Sequence, residues 1–186
     1  MRVLGISGSL RAESTNTILL HAIALLASSD LEIEMFDGLE HIPAFNPDLE
    51  TEEEGGPVLK LRTALRGADL VVFASPEYAH GVPGLLKNAL DWVVGSGELS
   101  GKPVVLVHAA ARGVHAKASL REILTTMDAL LLRDEELTID LMGRSVTASE
   151  IRRDDAMALK IKSHLNQWSR FLRTERWRRS PQQSTT

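Results

Sequence analysis

Residues 5–16 read GISGSLRAESTN: two glycines, four hydroxyl residues, an arginine and an asparagine in twelve positions. Ser7, Ser9, Ser14, Thr15 and Asn16 offer hydrogen-bond donors, Arg11 a fixed positive charge, and Gly8 a backbone free to take conformations that other residues resist. A helical pattern begins at Thr15, and the free N–H groups at a helix N-terminus favour an anion. The chemistry indicated is phosphate binding, set against a Ser/Thr-rich helix cap that binds nothing. Two common phosphate ligands do not fit. The dinucleotide fingerprint G-x-G-x-x-G is missing, since positions 5, 7 and 10 are Gly, Ser and Leu, and no Lys-Ser or Lys-Thr pair follows as in a Walker loop. A long hydroxyl-rich loop suits a terminal monophosphate wrapped on several sides, the group in which FMN ends.

A second stretch, SPEYAHGVPGLLKNALDW (75–92), follows another strand-like run. Pro76 and Pro83 stiffen its ends, and Gly81 gives the chain freedom to turn. Tyr78 and His80 can present flat faces or donors to a planar ligand; a solvent-facing loop is the plain reading of His80. Trp92 shares helical spacing with Leu85 and Ala89 and belongs to a core. Lys87 and Asp91, at i and i+4, form a surface pair. A third stretch, HAAARGVHAKASLR (108–121), follows a further apolar run.

These loops need a scaffold, and the hydrophobic pattern supplies one. Residues 3–6, 70–74 and 103–109 are near-continuous apolar runs, as in strands covered on both faces. Residues 31–36 and 136–141 alternate apolar with polar, the mark of half-exposed strands. Helical patterns occupy 15–28, 57–67, 83–94, 117–131 and 148–172. Thr15 or Ser14 is placed as an N-cap, and Pro57 and Pro83 near first helical positions. Alternating strands and helices predict a parallel α/β sheet, with right-handed crossovers. The three central and two edge strands match the flavodoxin-like order 2-1-3-4-5, one of several orders sharing those edges. In that order a ligand sits past the carboxyl ends of the strands, between the first and third.

Composition narrows the class. The 186 residues predict one domain over 1–174, followed by a basic and polar tail at 175–186. The absence of cysteine excludes disulfides, thiolate metal sites and a cysteine nucleophile, and no metal site is expected. A net charge of −4 gives no reason to expect nucleic acid. The acidic run inside the polar loop 37–56 reads as a solvated segment, and RFLRTERWRR (170–179) as a solvated helix end running into the tail. The opening MRVLGIS reads as a strand rather than a leader, and no apolar run reaches membrane-spanning length. A cytoplasmic chain with no membrane partner is expected.

In GSLRAESTN (8–16) and PEYAHGVPGLLKNALDW (76–92), and in the element order over roughly 1–145, the chain resembles the NAD(P)H-dependent FMN reductases, which include quinone, azo-dye and chromate reductases. The resemblance implies a flavodoxin-like three-layer α/β/α fold with a five-stranded sheet in the order 2-1-3-4-5, and FMN as cofactor with NAD(P)H as co-substrate. It implies that Ser9, Arg11, Ser14 and Asn16, with Thr15, hold the FMN phosphate. Pro76, Glu77, Tyr78, Ala79, His80 and Gly81 would line the isoalloxazine and ribityl chain, largely through backbone groups. Ala110, Arg112, Gly113 and His115 would form the loop at the flavin edge and the nicotinamide nucleotide, with Arg112, His115 or Lys117 available to the nucleotide phosphates. The resemblance also implies a homodimer or dimer of dimers with the site beside the partner subunit, and a small-molecule electron acceptor. Two departures stand out. Ala79 replaces a frequent Asn. In the third loop Gly113 and Leu120-Arg121 fit, whereas Ala109, Ala110 and Arg112 replace small polar or Gly positions and His115 replaces Arg.

With the cofactor carrying the chemistry, no catalytic side chain is required for hydride transfer. Two other classes share this fold. An electron carrier of flavodoxin type would be strongly acidic, with aromatics flanking the flavin. A regulatory protein that has lost cofactor use would not need an intact phosphate loop.

Overall fold

In the computed structural model, which describes residues 1–11, 13–49 and 56–174, the apolar runs lie in the middle of one parallel sheet. Strand β1 (Arg2–Ser7) pairs on one side with β2 (Glu32–Met35) and on the other with β3 (Leu70–Ala74), which pairs with β4 (Pro103–His108). The order is β2-β1-β3-β4, with the short strand β5 (Leu130–Leu131) beyond β4. Successive strand residues point to opposite faces, and the two cores follow that rule. Leu4, Ile6, Val71, Phe73, Val104 and Leu106 pack under helices α2 (Pro57–Gly67), α3 (Gly84–Val94) and α4 (Val114–Thr126). Val3, Leu70, Val72, Val105 and Val107 pack under α1 (Thr15–Leu26), α5 (Ala148–Arg153) and α6 (Asp155–Arg173). The expected flavodoxin-like three-layer arrangement is therefore present.

Most elements fall within two residues of those expected, and two differ by more. The helix assigned to 117–131 begins earlier, at Val114, and ends at Thr126, because Asp128 takes a left-handed φ of 57° and reverses the chain. Its carbonyl accepts from Gly101 N at 2.8 Å and its carboxylate from Ser100 Oγ at 2.8 Å. Leu130–Leu131 then forms a short strand, β5, against the start of β4. The fifth strand assigned to 136–141 is regular only over β6 (Leu137–Thr138), which pairs with the end of β4. Ile139 N and Leu141 N continue the contact by donating to His108 O and Ala109 O, both at 2.9 Å. A turn of 3₁₀ helix at Arg133–Glu135 separates the two pieces.

The last helix is two helices. Asp154 is extended (φ −76°, ψ 113°) and its carboxylate accepts from Met157 N at 2.9 Å, so it caps α6 and interrupts the run expected over 148–172. Ahead of it, Thr147 and Glu150 form a reciprocal capping box on α5. Arg173 is not simply solvated: with Ser169 it donates to Asp30, tying α6 to the turn before β2. The tail at 175–186 and the acidic run at 50–55 lie outside the described residues.

The polar loop after β2 is held by a core side chain. Trp92 is fully buried, as its spacing predicts, and its indole N–H donates to Pro43 O at 2.8 Å while Phe45 packs edge-on at 5.2 Å. The Lys87–Asp91 pair forms, at 2.5 Å. Among the described residues, no helix is long and apolar enough to cross a membrane. Replacing Asp154 with Ala removes the cap of α6 and should lower the unfolding free energy by about 1 kcal/mol, read by urea denaturation.

Candidate functional site

Three loops leave the carboxyl ends of β1, β3 and β4 at the same edge, because Ser7 pairs with Ala74 and Ala74 with Val107. The first loop is pinned at its root by Gly8 N donating to Ala74 O at 2.8 Å. Gly8 is required for closeness rather than for an unusual φ: a Cβ there would stand 2.9 Å from Ser75 Oγ and 3.0 Å from Leu86 Cδ2. The hydroxyls of Ser7 and Thr17 bond at 2.7 Å, and Arg11 N donates to Ser9 Oγ at 3.3 Å. Ser14 is the N-cap of α1, yet its hydroxyl makes no capping bond. Ser14 and Asn16 are buried, at 6 % and 7 % exposure, and neither side chain has a hydrogen-bond partner among the described residues. Their polar atoms open onto a cavity rather than being sealed in the interior, and donors so placed beside a helix N-terminus are suited to a bound anion.

The second loop closes as a tight turn, with Gly81 N donating to Tyr78 O at 2.9 Å and Tyr78 N to Gly81 O at 3.2 Å. The left-handed residues are Ala79 (φ 47°) and His80 (φ 59°), not Gly81. Such φ values cost a non-glycine residue on the order of 1 kcal/mol each. His80 stacks on His115 of the third loop, ring centroids 4.3 Å apart. Beneath that stack the Glu77 carboxylate accepts from Ala116 N at 2.8 Å, capping α4 from a different loop. Hydrogen bonds from the Ala116 and His115 backbone, helped by the two imidazoles, hold the Glu77 carboxyl below its usual range. The sequence reading gave Glu77 a ligand-lining role through its backbone; its side chain joins the second loop to the third. Gly113, with φ 87°, starts α4 next to it.

Lys117 reaches back to the third loop, its Nζ donating to Ala110 O at 2.9 Å and Ala111 O at 3.2 Å. Burial, reinforced by Arg121, lowers its affinity for a proton. At the base of the same loop the nearly buried His108 donates through Nε2 to Glu136 at 3.3 Å, and Glu136 also accepts from Arg121 through both of its oxygens. Burial acts to raise the Glu136 carboxyl, but the His108 and Arg121 hydrogen bonds outweigh it and bring it down to about 2.

Between the loops lie two adjoining cavities. The larger, about 1000 Å³, is lined by Ser9, Arg11, Ser14, Thr15, Asn16, Pro76, Tyr78 and Ala110. The smaller, about 320 Å³, shares Thr15, Asn16, Pro76 and Ala110 and adds Glu77, His108, Arg112, Gly113 and Lys117. Ala79, His80, Gly81 and His115 line neither; they form the turn and the ring stack at the outer edge. Sequence reasoning missed His108 and the whole segment Met142–Thr147, which lines the larger cavity together with the first loop. A signal existed: in a parallel sheet the chain leaving the last strand emerges at the ligand edge.

Residues 1–142 match the family model for NADPH-dependent FMN reductase. The chain belongs to that family. It is 34 % identical over 181 residues to an NAD(P)H-dependent FMN reductase of Pseudomonas aeruginosa, covering 93 % of this chain and 97 % of the relative. It is 35 % identical over 144 residues to a quinone reductase of Escherichia coli, covering 73 % and 76 %. Among solved structures it is similar to the flavoenzyme NAD(P)H:(acceptor) oxidoreductase FerB of Paracoccus denitrificans, with TM-score 0.81, 25 % identity, and 92 % and 97 % of the two chains covered. As a member of this family the protein is an oxidoreductase with FMN as cofactor and NAD(P)H as co-substrate. The structure suits the cofactor: a hydroxyl-rich loop with Arg11 lines a cavity that continues between two further loops.

Three outcomes follow. Gly8→Ala should destabilise the reductase by ~1–3 kcal/mol, seen as a lower denaturation midpoint, because fully buried Leu86 has no room to yield. Glu77→Ala should speed amide exchange at Ala116 and the adjacent α4 N-terminus relative to the rest of α4. Glu136 titrates lower folded than unfolded, so its contribution is complete above its ordinary value of 4.5 and lost as pH falls toward 2. Wild type should therefore lose about 2 kcal/mol more stability than Glu136→Gln between pH 6 and pH 3, measured by urea unfolding at those two values.

Proposed function

We propose that this chain holds FMN with its phosphate in the Ser9–Asn16 loop and its ring system between the second and third loops, is reduced by NAD(P)H, and delivers electrons to a small-molecule acceptor of the quinone type. The observation that carries the reading is the set of donors from the first loop, Ser9, Arg11, Ser14 and Asn16, lining one cavity at the N-terminus of α1. The cofactor supplies the chemistry: it accepts hydride from NAD(P)H and releases electrons to the acceptor. The protein binds, orients and excludes water. Arg11 and the α1 N-terminus supply positive charge for the phosphate, while the Ser14 hydroxyl and Asn16 amide supply directional donors. Glu77 and Lys117 hold the second and third loops at a fixed separation, so the slot between them is preorganised rather than closed by the ligand. His80 and His115 stand at its rim, where NAD(P)H and the acceptor would enter in turn.

The quinone assignment draws on the relatives named as quinone reductases. We also propose that two copies associate, with α3 and α4 contributing: Val94 on α3 and Val114 on α4 are apolar and 57 % and 64 % exposed. A single FMN-binding unit over 1–174 is part of the same reading.

The purified protein should be yellow, or turn yellow with added FMN, and NADH or NADPH should bleach it anaerobically, with colour returning on adding a quinone. A protein that retains no FMN would refute the reading. Arg11→Ala should weaken FMN binding by roughly 10- to 100-fold, the loss of one charge-assisted hydrogen bond, read by fluorescence titration of apo-protein.

A further inference from the structure

The segment from Met142 to Thr147 lines the larger cavity together with the first loop. It is anchored at both ends. At its start Leu141 is fully buried and Leu141 N donates to Ala109 O at 2.9 Å. The turn is closed by Arg144 N donating to Leu141 O at 3.1 Å across Gly143, whose φ of 70° is left-handed. At its end the capping box holds Thr147, and the next helix packs through fully buried Ile151. A segment so fixed presents its side chains at a set place. The exposed Arg144 lines the cavity, and its guanidinium has no carboxylate partner among the described residues.

Two carboxylates share that cavity, Glu13 and Glu150, together with His21. Glu150 is already engaged, accepting from Thr147 N at 2.7 Å and Thr147 Oγ1 at 2.8 Å; those bonds hold it below its usual range. Glu13 stands exposed on the first loop itself. An FMN phosphate carries a charge of about −1.5 to −2 at neutral pH. Helix α1 offers about half a positive charge at its N-terminus and Arg11 one more. Together these leave up to about half a negative charge unmatched, and the guanidinium without a carboxylate partner in the same cavity is of the type that grips phosphate through two parallel N–H bonds.

We propose that Arg144 is a second phosphate clamp, which holds the FMN monophosphate together with Arg11. The inference rests on the FMN reading above and makes the chain leaving the last strand part of the cofactor site. It also assigns Arg144 to the cofactor rather than to the phosphates of NAD(P)H.

The test titrates FMN and riboflavin separately into apo-protein of wild type, Arg11→Ala, Arg144→Ala and Arg144→Lys, following flavin fluorescence at two salt concentrations. Circular dichroism and the melting temperature of each variant check folding. Arg144→Ala should weaken FMN by about 10-fold or more while leaving riboflavin within about twofold, and should flatten the salt dependence. Arg144→Lys should recover part of the loss. Equal weakening of FMN and riboflavin would overturn the proposal, since the contact would not be to phosphate. So would an unchanged FMN affinity, whether or not the KM for NADPH rises. Failure of the underlying reading looks different: wild type itself would not distinguish FMN from riboflavin, and Arg11→Ala would leave FMN affinity unaltered.

Discussion

Parallel pairing of β1, β3 and β4 in matched register puts three loop roots at one level of one edge, Ser7 beside Ala74 beside Val107. The site depends on that alignment. A shift of one residue in either pair would move a loop by more than 3 Å along the strand and turn its core side chains to the wrong layer. The alignment is enforced by burial: β3 and β4 are buried at every position, and their alternate residues serve different helix layers. Gly8 transmits the constraint to the first loop, because its N–H is bonded to β3 and it has no room for a Cβ.

On that edge the loops are tied to one another by polar side chains. Glu77 joins the second loop to the start of α4, Lys117 joins α4 back to the third loop, and the His108–Glu136–Arg121 group sits under both. A slot braced in this way keeps its width without a ligand, which suits a cofactor that must stay in place while NAD(P)H and an acceptor visit in sequence. The strained pair Ala79–His80 lies at the mouth rather than the base, and its cost is met by the ring stack with His115 and the bonds between Tyr78 and Gly81. This turn carries Ala at the position where the resemblance led one to expect Asn. A short polar side chain tolerates a left-handed φ better than Ala does, so the departure is felt in backbone strain as well as in a lost polar group.

Much was legible from residues alone. Fully apolar runs marked the central strands, alternation marked the edges, and the hydroxyl-rich run before a helical pattern marked a loop that lines the larger cavity. All three are local properties of the chain. The errors fell where local pattern was ambiguous. Leu130 and Leu131 continue a helical apolar spacing, and the left-handed Asp128 decides that they form a strand instead. Residues 148–172 keep helical spacing throughout, and Asp154 breaks them in two by turning its carboxylate onto the next helix.

What the sequence by itself determined is the layered α/β order and the family, because each is written in contiguous residues whose spacing carries its own physics. The tertiary structure alone decided that Glu77 caps a helix thirty-nine positions away, that His108 shares Glu136 with Arg121, and that Arg144 lines the same cavity as the first loop. Those contacts join charged groups far apart in sequence. A lone Glu, His or Arg in a loop has no periodicity to betray its partner, and only the packing of α1, α4 and α5 onto the sheet brings such partners within reach.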